Sequence, residues 1–150
     1  MTQNQTPQKI VTYALPYANG MLHLGHMMGM IQADCYVRAS RMMGEDIVFV
    51  CGDDAHGTPI MLNAQKQGIE PDELVARFLT EHKQDINAFK IDFDGYHTTH
   101  SELNTQVVHT VYTKLDQEGG IVSKEIEQAY DATAKMFLPD RYIKGTCPKC

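Results

Sequence analysis

A parallel α/β sheet is the fold class this sequence predicts, on three observations. Two short apolar runs, residues 10–14 and 47–51, have the length of buried strands and end in turn-forming residues. The stretches that follow them carry apolar residues at three- and four-residue steps, the period of a helix with one buried face. Strand-like and helix-like segments then alternate through the first 120 residues, the pattern of βα units and not of hairpins.

Each element follows in order. The run 10–14 is ended by the turn-prone stretch 16–20 and reads as a strand. From His23 the period changes. Leu24, Met27, Met28, Ile31, Cys35, Ala39 and Met42 fall on one helix face, and Gly44 is placed to close it. The methionines on that face read as core packing and not as a cofactor-binding stripe. Residues 47–51 form a second strand that runs into Gly52, Asp53 and Asp54. Thr58 and Pro59 resemble an N-cap followed by proline at the first helical position, opening a short helix that Gly68 stops. Pro71 opens another, with Leu74, Val75, Phe78, Leu79, His82, Ile86 and Phe89 on one side; His82 there reads as a satisfied core or edge histidine. A third short strand falls within 94–99. Ser101 or Thr99 caps a helix carrying Leu103, Val107, Val111 and Leu115, closed by Gly119 and Gly120. Residues 121–150 lack helical period and read as short strands and loops, so a domain boundary is expected near 120.

Composition narrows the function classes. The chain has 150 residues, enough for one domain with a core, and its 43% hydrophobic and 21% charged content is that of a soluble globular protein. No apolar run approaches the roughly 18 residues of a membrane span. Residues 1–8 lack the basic and apolar regions of a signal peptide, so a cytoplasmic location is expected and no membrane partner. The net charge of −6 argues against a broad nucleic-acid-binding surface, which needs clustered Lys and Arg. Cys35 and Cys51 read as small buried hydrophobes, and a disulfide framework is not expected.

Three segments carry chemistry. In the first, His23-Leu24-Gly25-His26 follows a strand and opens a helix. Free backbone N–H groups and the helix dipole favour anions at that end, and two imidazoles can donate to phosphate oxygens. Gly25 removes a side chain, so a flat base or ribose can approach the backbone. The second segment, residues 51–59, leaves the second strand at the same sheet edge. A carboxylate there suits a substrate ammonium; Asp54 is the residue favoured for that role, while Asp53 reads as capping a turn or helix start. The spacing of Asp53, Asp54 and His56 matches no metal motif. The third, Cys147-Pro148-Lys149-Cys150, admits a zinc knuckle, a redox pair or two free thiols.

His23-Leu24-Gly25-His26 resembles the HIGH-type signature shared by class I aminoacyl-tRNA synthetases and related nucleotidyltransferases. Together with Ala14-Leu15-Pro16-Tyr17-Ala18-Asn19-Gly20, Gly52-Asp53-Asp54-Ala55-His56-Gly57 and Met136-Phe137-Leu138-Pro139-Asp140-Arg141, it is very similar to the methionyl-tRNA synthetase family over essentially the whole chain. That resemblance implies a Rossmann-like doubly wound sheet, of which this is the first half (residues 1–120), followed by the beginning of a zinc-bearing insert (121–150). It implies ATP-dependent methionine activation with Mg2+ and transfer to tRNA. His23 and His26 would stabilise phosphate charge and, with Gly25, bind ATP; Leu15, Tyr17 and Asp54 would hold methionine; Cys147 and Cys150 would be two of four Zn2+ ligands. Many family members read Thr-Asp-Glu-His-Gly at 53–57, which leaves Asp54 aligned and Ala55 without a role. With the family's second ATP loop and anticodon-reading helices outside these residues, the 150-residue chain alone is expected to be inactive. The rival readings are another class I synthetase, a dinucleotide-forming nucleotidyltransferase, and a non-catalytic binding module.

Overall fold

The computed structural model describes residues 9–133, 135–138, 143, 145 and 146. The Cys147–Cys150 pair and Pro139, Asp140 and Arg141 of the resemblance lie outside the described residues. By compactness the chain divides into two units, Met1–Asn104 and Thr105–Cys150.

The first unit holds strands β1 (Lys9–Thr12), β2 (Ile47–Asp53) and β3 (Gly95–Thr98), joined through helices α1 (Leu24–Met42), α2 (Thr58–Gln67) and α3 (Pro71–Ala88). All three strands are parallel, in the order β1-β2-β3. Ile47 and Phe49 of β2 are buried while Val48 and Val50 are only half-buried, so one face of the sheet takes most of the packing. Met27, Met30 and Val37 from α1, Ile86 from α3 and Ile91 pack on that face around Ile47 and Phe49. A second cluster, Ala18, Ala55, Ile60, Ala64, Leu74, Val75 and Phe78, sits under the loops that leave β1 and β2. Apolar burial thus anchors the very loops that carry the candidate chemistry.

Two expectations need correction here. The buried face of α1 is Met27, Met30, Asp34, Val37 and Ser40, whereas Leu24, Met28, Cys35 and Met42 are exposed. Asp34 and Ser40 occupy the inward phase and break the apolar stripe that would have revealed it. Asp34 is tolerated inside because its carboxylate accepts from Arg38 Nε at 2.6 Å and from the Asp92 amide at 3.0 Å. The second correction is the cap of α2. Gly57 is the N-cap, so Thr58 and Pro59 are the first two helical residues.

Other local signals behave as expected. Gly68 closes α2 in the left-handed conformation, and Pro71 begins α3. Leu74, Val75, Phe78, His82 and Ile86 are buried along α3, while Phe89 terminates the helix and is exposed. The Ser101 hydroxyl accepts the Asn104 amide at 3.2 Å, capping α4 (Glu102–Gln117).

The second unit carries most of α4 and an antiparallel pair, β4 (Tyr130–Asp131) and β5 (Met136–Phe137). No residue of α4 is buried. Tyr130 and Phe137 stack edge to face, with centroids 5.1 Å apart. Among the described residues no helix is long and apolar enough to cross a membrane.

Candidate functional site

The loops leaving the three parallel strands are bonded to one another. Tyr17 and Asp54 form a parallel bridge: the Asp54 amide donates to Pro16 O and the Ala18 amide to Asp54 O, both at 2.8 Å. Asn63 of α2 donates to Asn19 Oδ1 at 2.8 Å. On the other side the Thr99 amide donates to Asp53 O at 2.9 Å, and Thr99 Oγ1 accepts the Ala55 amide at 2.8 Å. The first two motif segments, thirty residues apart in sequence, therefore share one edge of the sheet, the edge where open α/β folds bind ligands.

His23 and His26 cap the start of α1 reciprocally. His23 Nδ1 accepts the Gly25 amide at 3.1 Å, and His26 Nδ1 accepts the His23 amide at 3.3 Å. Each Nδ1 must hold a lone pair to do so, which assigns the ring proton to Nε2 in both. The two rings stack with centroids 3.8 Å apart. The result is a pair of parallel imidazoles, backs turned to the helix end and Nε2–H donors left over for a ligand. Burial, then the nearby His23 and His82, hold the His26 pKa below its ordinary value, which favours this neutral donor form. Gly25 suits this arrangement: a Cβ there would stand 3.0 Å from His23 Cε1, so the ring would have to give by a few tenths of an ångström.

Asp53 and Asp54 separate completely. Asp54 is exposed at the tip of the bridge, its carboxylate open to a ligand. Asp53 is fully buried and caps nothing, contrary to the expectation from sequence. Its Oδ1 lies 2.9 Å from His82 Nδ1 and accepts the Tyr96 hydroxyl. His82 Nε2 lies 2.8 Å from Gly20 O, so His82 is the satisfied core histidine the sequence suggested. Burial, then the bond to Asp53 and its charge, push the Tyr96 pKa far up, so the phenol stays protonated. Tyr96 and the Asp53–His82 pairing escape sequence reading because the partners are 43 and 29 residues apart.

Tyr17 is half-buried beside Gly57, where a Cβ would stand 2.9 Å from the Tyr17 hydroxyl. Leu15 is exposed and lines, with Thr12, Val50, Cys51, Gly52 and Thr98, a cleft of about 260 Å³ at the strand ends. That is just under the roughly 300–1,000 Å³ of typical small-ligand pockets. A further polar cluster lies alongside. His56 Nε2 is 3.3 Å from His100 Nδ1, and His100 Nε2 is 3.4 Å from Asp72 Oδ1. Among the described residues no three His, Cys, Asp or Glu groups are placed to hold a metal ion.

Stacked imidazole donors stand at a helix start over the carboxyl ends of a parallel sheet, an arrangement whose chemistry suits an anion. The chain belongs to the family tRNA synthetases class I (M), whose profile matches residues 9–150. It is 57% identical over 141 residues to the methionine–tRNA ligase of Francisella tularensis subsp. tularensis (strain WY96-3418), an alignment covering 94% of this chain and 21% of that protein. The enzyme of Francisella tularensis subsp. holarctica (strain OSU18) is 56% identical over the same length. The chain thus spans about a fifth of the length of these relatives. Among solved structures it is similar to Mycobacterium tuberculosis methionyl-tRNA synthetase bound by methionyl-adenylate, with TM-score 0.77 and 23% identity over 91% of this chain and 27% of that one. The agnB2 LeuRS of Agrobacterium radiobacter K84, in a ternary complex with tRNA and LeuAMS, gives TM-score 0.76 and 21% identity over 90% and 18%. These two likenesses show the fold.

Proposed function

We propose that this chain carries the methionine- and ATP-binding half-site of a methionine–tRNA ligase, which activates methionine with ATP and passes it to tRNA. The observation that carries the reading is the Tyr17–Asp54 bridge, which joins the amino-acid loop to the turn leading into the histidine pair. The exposed Asp54 carboxylate holds the substrate ammonium by a charge-assisted bond. Leu15 and Tyr17 border the thioether chain, and the cleft beside Leu15 has the apolar lining such a chain needs. The methionine carboxylate attacks the α-phosphorus of ATP and pyrophosphate leaves. His23 and His26 donate through Nε2 to the phosphate oxygens as charge builds, each fixed donor being worth about 3 kcal/mol in such sites. Gly25 leaves the helix start open to the nucleoside.

Mg2+ belongs to this reading as the partner of ATP. Cys147 and Cys150 supply two thiolates toward a Zn2+ site in an insert after residue 120, and the sheet continues into a doubly wound whole. A cytoplasmic location goes with the same reading. Since the net charge is −6, tRNA is gripped mainly by other parts of the enzyme.

Thermal unfolding in the presence of amino acids tests this. Methionine at about 100 times its Kd stabilises by about 2.7 kcal/mol, a rise of roughly 5–10 °C, and Asp54→Asn abolishes the rise. Leucine, valine and cysteine leave the midpoint unchanged. A shift with leucine and none with methionine would assign the site to another amino acid.

A further inference from the structure

The buried triad beneath the site has a donor count that constrains its charge. Gly20 O can only accept, so His82 Nε2, 2.8 Å away, carries a proton. Asp53 Oδ1 receives the Tyr96 hydroxyl and also faces His82 Nδ1 at 2.9 Å. If Asp53 were protonated on Oδ1 and donated to Nδ1, the Tyr96 hydroxyl would donate to a hydroxyl oxygen, a poorer acceptor than a carboxylate. Were the proton on Oδ2, it would meet nothing, because Oδ2 is buried with no hydrogen-bond partner among the described residues. A hydrogen on both ring nitrogens, against a carboxylate, gives both the Tyr96 hydroxyl and the ring a charged acceptor and makes each close contact charge-assisted.

The position of this ring matters as much as its charge. Gly20 closes the turn that carries Tyr17 and leads into His23, while Asp53 directly precedes Asp54 on the other loop. His82 itself stands on α3, in the middle of a helix whose neighbours Leu74, Val75, Phe78 and Ile86 fix it in the core. One side chain from a rigid helix therefore grips both loops from below.

We infer that His82 is held as an imidazolium and is the positioning residue that fixes the turn 17–23 against the acidic loop. The functional meaning of that turn rests on the proposed methionine and ATP site; the charge and the clamp do not. The groups that act on the ring are Asp53 from β2, which Tyr96 from β3 bonds in turn, Asp85 on its own helix and His26 on α1. The positive charge is felt at His26, where it helps keep that imidazole neutral and adds to the attraction of the helix start for phosphate.

The test uses the purified chain without ligand. Long-range 1H–15N spectra of histidine-labelled protein at about pH 7 should show His82 with both ring nitrogens protonated. The signal is assigned by its loss in His82→Gln, or, should that variant not fold, by its contact with the Phe78 ring, whose centroid is 6.0 Å away. A single protonated nitrogen overturns the inference. For the clamp, hydrogen exchange of the Ala18 and Asp54 amides, which bridge the loops, should quicken about tenfold or more in His82→Gln, the loss expected for a bond from a charged donor. In the unmodified chain the same two amides should lose protection, relative to Val37 in α1, as pH rises through the titration of His82. Exchange at Ala18 and Asp54 that ignores both the variant and the titration overturns the positioning role. Neither readout involves methionine or ATP, so failure of the chain to bind methionine would strike the proposed function and leave this inference standing.

Discussion

Gly57→Ala is the substitution for which the structure allows the fullest accounting. Gly57 sits at φ 120°, ψ 161°, just ahead of α2. Side-chain-bearing residues essentially avoid that region, and holding one there costs about 1–3 kcal/mol. The added Cβ would also stand 2.9 Å from the Tyr17 hydroxyl, a contact something must yield to. Forcing extra atoms into a packed position costs about 1–3 kcal/mol more, less whatever Tyr17 recovers by moving. A total of about 2–4 kcal/mol lowers the melting midpoint of a 150-residue protein by roughly 5–15 °C. Thermal melts followed by circular dichroism measure it. Gly68→Ala is the control: it has φ 67° but open space around it, so it reports the backbone cost alone, about 1–2 kcal/mol. Repeating Gly57→Ala in a Tyr17→Phe background removes the clashing atom and should recover more than about 0.5 kcal/mol of coupling. A Gly57→Ala midpoint no lower than that of Gly68→Ala, or a cycle without coupling, would refute the claim that Tyr17 is pressed against this loop.

Three further outcomes are expected. Burial alone lowers the His82 pKa, but the bonds to Asp53 and to the Gly20 carbonyl, with the charges of Asp53 and Asp85, outweigh it and set the value above 6.5. A folded-state value above the unfolded one makes the stabilisation complete below 6.5 and loses it as pH rises through the raised value, so the gap between the parent and His82→Gln in urea melts narrows toward alkaline pH; a widening gap would contradict the pairing. Exposed Cys35 is alkylated ahead of Cys51, whose thiol is pushed up first by burial and also by the nearby Asp53 charge, and peptide mapping after a brief iodoacetamide pulse reads the order. Phe49→Ala empties a fully buried position against Phe93, whose ring centroid is 4.2 Å away, and costs about 3–5 kcal/mol by denaturant titration.

What could be read from the sequence was what local physics determines. The strands, the stop at Gly68, the start at Pro71 and the cap at Ser101 depend on residues within a few positions of one another, and all are found. The inward face of α1 is hidden from sequence because Asp34 and Ser40 point inward; Asp34 is held by Arg38 and by the Asp92 amide, and Arg38 in turn donates to Lys90 O, partners that lie partly on the segment before β3, far along the chain. Cys35 lies on the exposed side for the same reason. The site divides along the same line. His23, Gly25 and His26 announce a helix start by their spacing, although histidine is not among the usual capping residues. The contrast between Asp53 and Asp54 is invisible in two adjacent letters; it is set by strand alternation and by His82 and Tyr96 arriving from α3 and β3.

The junction between Tyr17 and Asp54 is made of peptide groups alone, two amides answering two carbonyls. Those two bonds keep their donors and acceptors whatever side chain stands at Tyr17. On the proposed reading, the wall residue at Tyr17 can change while the backbone junction that presents Asp54 is inherited unaltered. Selectivity and anchorage are separable traits in such a frame, and a change of preference need not begin by dismantling the chemistry.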